Sequence, residues 1–233
     1  MGMTDNSEQP FVTEKERSEP YVSRLWLVRH GETDWNREGR LCGHQDVSLS
    51  STGEMQARWV GAQLNSRPIV AVYASDLQRT VKTAELLAQQ HSLPLTIQTQ
   101  SAWRELSFGE WEGLTYAEIA ARYPDQLDFF TKPLHSSPPG GETLAELLQR
   151  VQPAFAQLVR DARTLPAGEL VLVSHSGVLR VLVCSLLGIP FERYWQLSFA
   201  YGSISAIDFL ADVEDVAATT TLSLLNHQSL YFL

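Results

Sequence analysis

Three short apolar runs, over 25–28, 69–73 and 169–173, each stop abruptly at a polar cluster. Arg29-His30-Gly31 follows the first, Asp76 and Arg79 follow the second, and His175-Ser176-Gly177 follows the third. Runs of this length, rich in Val, Ile and Leu, read as strands buried on both faces. Amphipathic stretches separate them. Residues 52–64 and 76–90 have helical spacing, the first with Ser50, Ser51 or Thr52 available as N-cap. Residues 142–163 read as a long helix bent near Pro153, and 177–187 as another that ends at Gly188-Ile189-Pro190. A shorter helix is expected over 115–123, where Thr115 and Glu118 have capping-box spacing. Residues 94–97 predict a third strand, 133–141 a surface loop, and 203–209 and 219–225 β-rich runs near the end of the chain. Alternating strand and helix argues for an α/β fold around a largely parallel sheet.

In such sheets ligands bind beyond the carboxyl ends of the strands. Two histidines and two arginines from distant parts of the sequence then meet at one edge. Guanidiniums offer forked donors that match phosphate or carboxylate oxygens. A neutral imidazole beside them can attack phosphorus, and a second can donate to developing charge. Glu105, in the loop after the third expected strand, is the candidate acid for a leaving alkoxide.

Each cluster also has a plainer reading. Arg29-His30 alone is a loop pair, His175-Ser176 a helix cap, Asp76 and Arg79 an i, i+3 surface pair, and Glu105 a solvated carboxylate. Other chemistries lack their patterns. Val173-Ser174-His175-Ser176-Gly177 has His where a serine-hydrolase elbow G-x-S-x-G needs Ser. The six histidines are scattered without H-E-x-x-H or H-x-x-E-H spacing, and no P-loop or G-x-G-x-x-G follows a strand.

Composition narrows the class. The 233 residues are 44% apolar, enough for one core, and contain no run of about 18 apolar residues that would span a membrane. Residues 1–22, polar and aperiodic, are expected to form a disordered tail, with one domain over 23–233. The start has no signal-peptide core, and Asn6 stands where a myristoylation signal wants Ser or Thr. Only Cys42 and Cys184 are present, which favours a reducing cytoplasm. A net charge of −9 argues against nucleic acid as partner. It permits a small anionic substrate, because local arginines dominate within the Debye length of about 8 Å.

The motifs together resemble the histidine phosphatase superfamily, the phosphoglycerate mutase-like proteins. The resemblance runs through Leu27-Val28-Arg29-His30-Gly31-Glu32-Thr33, Trp35-Asn36, Gly43, Ser75-Asp76-Leu77-Gln78-Arg79-Thr80, Arg104-Glu105-Leu106, Trp111-Glu112-Gly113, Gly140-Gly141-Glu142-Thr143 and Val173-Ser174-His175-Ser176-Gly177 with Arg180. It implies a three-layer α/β/α sandwich, a phosphohistidine on His30, and a phosphate pocket of Arg29, Arg79 and His175. It implies Glu105 as proton donor, Asn36, Gly43 and Ser176 as substrate-binding residues, and no metal or other cofactor. Within the family, mutases place a Lys shortly after the Glu motif and an Arg pair in a long insertion. Here Tyr116 stands at the Lys position, and the short segment between Gly113 and Gly140 carries Arg122 and Lys132 without an Arg pair. The expectation is a metal-independent phosphomonoesterase acting on a small phosphorylated metabolite. The alternatives are a 2,3-bisphosphoglycerate-dependent phosphoglycerate mutase and a non-catalytic phosphate-binding protein. A homodimer is left open. Phe108, Trp111, Tyr116, Phe129 and Phe130 are candidates for either a lid over the pocket or core.

Overall fold

The computed structural model describes residues 22–232. The expected tail therefore lies outside the described residues as far as position 21. Val22 opens the first strand, one residue before the expected domain start. In chain order the strands are β1 (Val22–Arg29), β2 (Ile69–Ala74), β3 (Ile97–Thr99), β4 (Glu169–Ser174), β5 (Ile204–Leu210) and β6 (Thr221–His227). The helices are α1 (Asp34–Arg37), α2 (Ser51–Leu64), α3 (Gln78–Ala88), α4 (Tyr116–Arg122), α5 (Leu144–Thr164) and α6 (Ser176–Leu187).

The strands form one sheet in the order β3-β2-β4-β1-β5-β6. β1, β2, β3 and β4 are mutually parallel, and β5 pairs antiparallel with both β1 and β6. Alternation along the strands divides the core in two. Leu25, Leu27, Tyr73, Leu170 and Leu172 pack with α5 and α6 residues such as Val151, Leu158 and Val178. Trp26, Val28, Val72, Val171 and Val173 pack with Val60 and Leu64 of α2 and with Ala84 and Leu87 of α3. Helices thus cover both faces, which gives the expected three-layer sandwich.

Local chemistry sets the element ends. Of the three candidate caps for α2, Ser50 is used: its Oγ accepts from Gly53 N at 3.1 Å. Thr115 and Thr143 form capping boxes with Glu118 and Glu146, so α5 starts at Leu144 and leaves Glu142 outside the helix. α5 runs on through Pro153, whose missing N–H leaves the carbonyl of Gln149 without its helical donor. The third strand starts at Ile97, later than the expected 94–97. Pro94 cannot donate to a ladder, and pairing with β2 starts where Val72 N reaches Thr96 O. Among the described residues no helix is long and apolar enough to cross a membrane, and Cys42 and Cys184 are free thiols.

Candidate active site

Parallel register brings the clusters together. Arg29 stands opposite Ser174 across β1 and β4, and Ala74 stands opposite Val173 across β2 and β4. The three strands therefore end level. His30 N donates to Ser174 O at 3.0 Å and Ser75 N to Val173 O at 3.2 Å, extending the ladders into the loops that carry His30, His175 and Asp76.

The His30 and His175 rings lie 5.0 Å apart between centroids, at 61°. Both side chains are buried. His30 Nδ1 lies 2.7 Å from the carbonyl oxygen of Gly31, which can only accept. Nδ1 therefore carries the ring hydrogen and Nε2 keeps the lone pair. His175 occupies the N-cap position of α6 but makes no side-chain cap hydrogen bond, which removes its plain structural reading.

Arg79 is fully buried. It donates from Nη2 to Gly43 O at 2.6 Å and from Nη1 to Gln45 O at 2.9 Å. Arg29 donates from Nη1 to Phe199 O at 2.6 Å, and its Cζ lies 3.7 Å from the Tyr201 ring centroid. Five buried polar atoms around the two imidazoles have no partner: Arg29 Nε, Arg79 Nε, both ring nitrogens of His175, and Ser176 Oγ. Native proteins rarely leave buried donors unmet. Together they offer donors from two cations, an imidazole and a hydroxyl, a set suited to an oxyanion.

Burial first, then the charges of Arg79 and Arg29, holds the His30 imidazole well below its ordinary range, against an opposing pull from the Gly31 carbonyl. Burial, Arg79, His30 and Arg29 depress His175 in the same direction. Neutral imidazoles are thus the native form at neutral pH. The linkage follows: the unfolded chain, with His near pH 6.5, binds these protons before the folded chain does. The stability the two histidines contribute is full above about pH 6.5 and falls as pH drops toward their folded-state values. Urea midpoints of the ligand-free protein should decline between about pH 7 and pH 5. The double variant His30→Gln/His175→Gln should lose most of that slope. An unchanged slope in the variant would count against this assignment.

Glu105 enters from the loop beyond β3 and is buried. Its Oε1 accepts from Leu106 N at 2.9 Å and its Oε2 from Gly177 N, in the first turn of α6, at 3.1 Å. A Cβ at Gly177 would collide with Glu105 Oε1, so only glycine lets the carboxylate approach the helix. The backbone under Glu105 is fixed by Arg150, whose guanidinium donates to Ala102 O, Arg104 O and Glu105 O at 2.7–2.9 Å and pairs with Glu142.

Other expected residues have different surroundings. Asp76 does not pair with Arg79. It accepts a two-pronged bond from Arg104 at 2.7 Å on each oxygen, which ties the loop after β2 to the one before Glu105. Gly43 lies where a Cβ would meet Glu112 Oε1 and Leu106 O at 2.6 Å, and its carbonyl serves Arg79. Asn36 completes the α1 capping box, its Oδ1 accepting from Thr33 N at 3.0 Å. Trp111 and Phe129 are core, not lid, while Tyr116 is 57% exposed at the start of α4. Among the described residues no His, Cys, Asp and Glu side chains gather into a metal-holding group.

Sequence reasoning passes over Arg150 and Tyr201. Arg150 has a signal, a charge on the apolar Leu147–Val151–Ala154 face of an amphipathic helix, and Tyr201 bears no local mark. Thr83 belongs to the family resemblance as Thr83-Ala84 but has no role assigned from sequence; its Oγ accepts from Gly31 N at 3.2 Å and donates to Arg79 O.

A family model described as the histidine phosphatase superfamily (branch 1) matches residues 25–220. A Salmonella choleraesuis protein named "Probable phosphoglycerate mutase GpmB" is 39% identical over 192 residues, 80% of this chain and 85% of that one. The alpha-ribazole phosphatase of Shigella flexneri is similar in structure, with a TM-score of 0.77 and 30% identity over 88% of this chain and 96% of that chain. Mycobacterial glucosyl-3-phosphoglycerate phosphatase, solved in complex with VO3, gives a TM-score of 0.79 at 29% identity, covering 88% of this chain and 100% of its own.

Proposed function

Because the chain belongs to the histidine phosphatase superfamily, branch 1, we propose that it is a phosphomonoesterase that needs no metal and hydrolyses a small phosphorylated metabolite through a phosphohistidine on His30. The observation that carries this reading is the ring of unpartnered buried donors on Arg29, Arg79, His175 and Ser176 around a neutral imidazole. The mycobacterial relative is a phosphatase solved with the oxyanion VO3, which agrees with an oxyanion-binding reading of the fold.

In the first step His30 Nε2 attacks phosphorus and the P–O ester bond breaks. Glu105 gives its proton to the departing oxygen. The guanidiniums and His175 hold the equatorial oxygens, where charge accumulates. In the second step water attacks the phosphohistidine and gives its proton to Glu105. The P–N bond breaks, its electron pair returns to Nε2, and inorganic phosphate leaves. Asn36, through its amide nitrogen, and Ser176 are further donors to the substrate phosphate, and Gly43 contributes by seating Arg79.

The curated relative's name favours a second reading, phosphoglycerate mutase. A mutase must hold a second anionic group and a carboxylate while excluding water. Tyr116 stands at the Lys position, and Lys132 is spent on Asp128 at the surface, which supports hydrolysis. The two readings separate in one assay series. The protein in EDTA should release phosphate from p-nitrophenyl phosphate and from members of a sugar, amino-acid and nucleotide phosphate panel. Interconversion of 3- and 2-phosphoglycerate outpacing hydrolysis would establish the mutase instead. Phosphate binding with no turnover of either kind would leave a binding protein.

A further inference from the structure

Among the described residues one non-glycine has a positive φ, Asn226 at 56° near the end of β6. Glycine and asparagine are the residues that adopt this region readily, and asparagine also brings an acceptor. Asn226 Oδ1 accepts from Ala200 N at 2.7 Å, and Asn226 N donates to Ser205 Oγ at 2.9 Å. The first bond pins the turn that leads into β5, and the second ties the end of β6 to β5 itself.

That turn is wired to the candidate nucleophile and clamp. Gly202 N donates to His30 O at 3.0 Å, and Arg29 N donates to Ser203 O at 3.2 Å. Phe199 O takes the Arg29 Nη1 hydrogen, and the Tyr201 ring lies 3.7 Å from the guanidinium carbon and 6.0 Å from the His30 ring. We infer that Tyr201 and Asn226 form a positioning device that orients the Arg29 guanidinium toward a bound phosphoryl group; this rests on the reading of the pocket as a phosphate site. The ring beneath the guanidinium limits its tilt, and the Phe199 carbonyl limits its rotation. Arg29 Nε, left without a partner, is then presented in one direction. Asn226 acts at a distance by holding Ala200, between Phe199 and Tyr201.

Isothermal titration of the full chain with inorganic phosphate tests this without turnover. Tyr201→Ala should weaken phosphate binding about 3- to 30-fold, and Tyr201→Phe, which keeps the ring, should restore it. Asn226→Gly keeps the backbone conformation and removes the acceptor. It should weaken binding about 2- to 10-fold, the range of one net hydrogen bond. If wild-type protein binds no phosphate, the reading of the pocket fails and the inference fails with it. If wild type binds and Tyr201→Ala matches it, or Tyr201→Ala and Tyr201→Phe lose equally, the inference alone is overturned. The tyrosine pair decides the matter even if Asn226→Gly does not fold.

Discussion

His30→Ala is expected to lower kcat by roughly 10^4-fold or more, on the scale of removing a covalent nucleophile, while inorganic phosphate still binds. The two halves have different physical origins. Nε2 carries the free lone pair, because Nδ1 is committed to the Gly31 carbonyl. His175 is equally neutral, but it sits at the N-terminus of α6 among the donors. The proposed phosphate clamp of Arg29, Arg79, His175 and Ser176 survives the substitution, so binding should persist. Retained hydrolysis at a tenth of the wild-type rate would mean that another group attacks phosphorus. Loss of phosphate binding together with activity would point to a collapsed pocket.

Glu105→Gln is expected to separate substrates by their leaving groups. For alkyl phosphates, whose alkoxide must be protonated as it departs, kcat/KM should fall about 10^2- to 10^4-fold. For p-nitrophenyl phosphate, whose phenolate leaves unaided, kcat/KM should change little, since it reports the step that forms the P–N bond. Gly177→Ala keeps the carboxyl group but pushes it off the N-terminus of α6, because the new methyl would collide with Oε1. It should reproduce the same leaving-group dependence with a smaller amplitude. Equal losses on both substrate classes in Glu105→Gln would assign Glu105 to structure or binding, not to proton transfer.

The sheet and its helices were legible because the local signals agree with the tertiary result. Buried strands read as continuous apolar runs, and Thr115–Glu118 and Ser50 announce their helices. The pocket was legible for a related reason: a parallel sheet delivers whatever follows its strands to one edge, so His30, Arg79 and His175 could be placed from sequence order alone. What escaped depends on pairings between distant segments. Asp76 looked like a partner for Arg79 on a helix surface, but Arg79 is drawn inward to the carbonyls of Gly43 and Gln45, and Asp76 takes Arg104 instead. The late start of β3 reflects a backbone donor that Pro94 lacks. Tyr201 meets Arg29 from the far end of the chain, with no periodicity to mark it. The aromatic residues divided between core and surface because Trp111 stacks on Phe130 at 5.4 Å inside the fold while Tyr116 packs on the same ring from outside.

A rapid-quench experiment tests directly for the covalent intermediate on His30. Wild-type protein and Glu105→Gln are mixed with p-nitrophenyl phosphate, quenched in alkali, digested and analysed by mass spectrometry. One phosphoryl group is expected on the peptide that carries His30, stable in alkali and lost in acid, accumulating further in Glu105→Gln because the water-activating step is slowed. Steady turnover with no phosphorylated peptide, or a phosphoryl group on any residue other than His30, would contradict it.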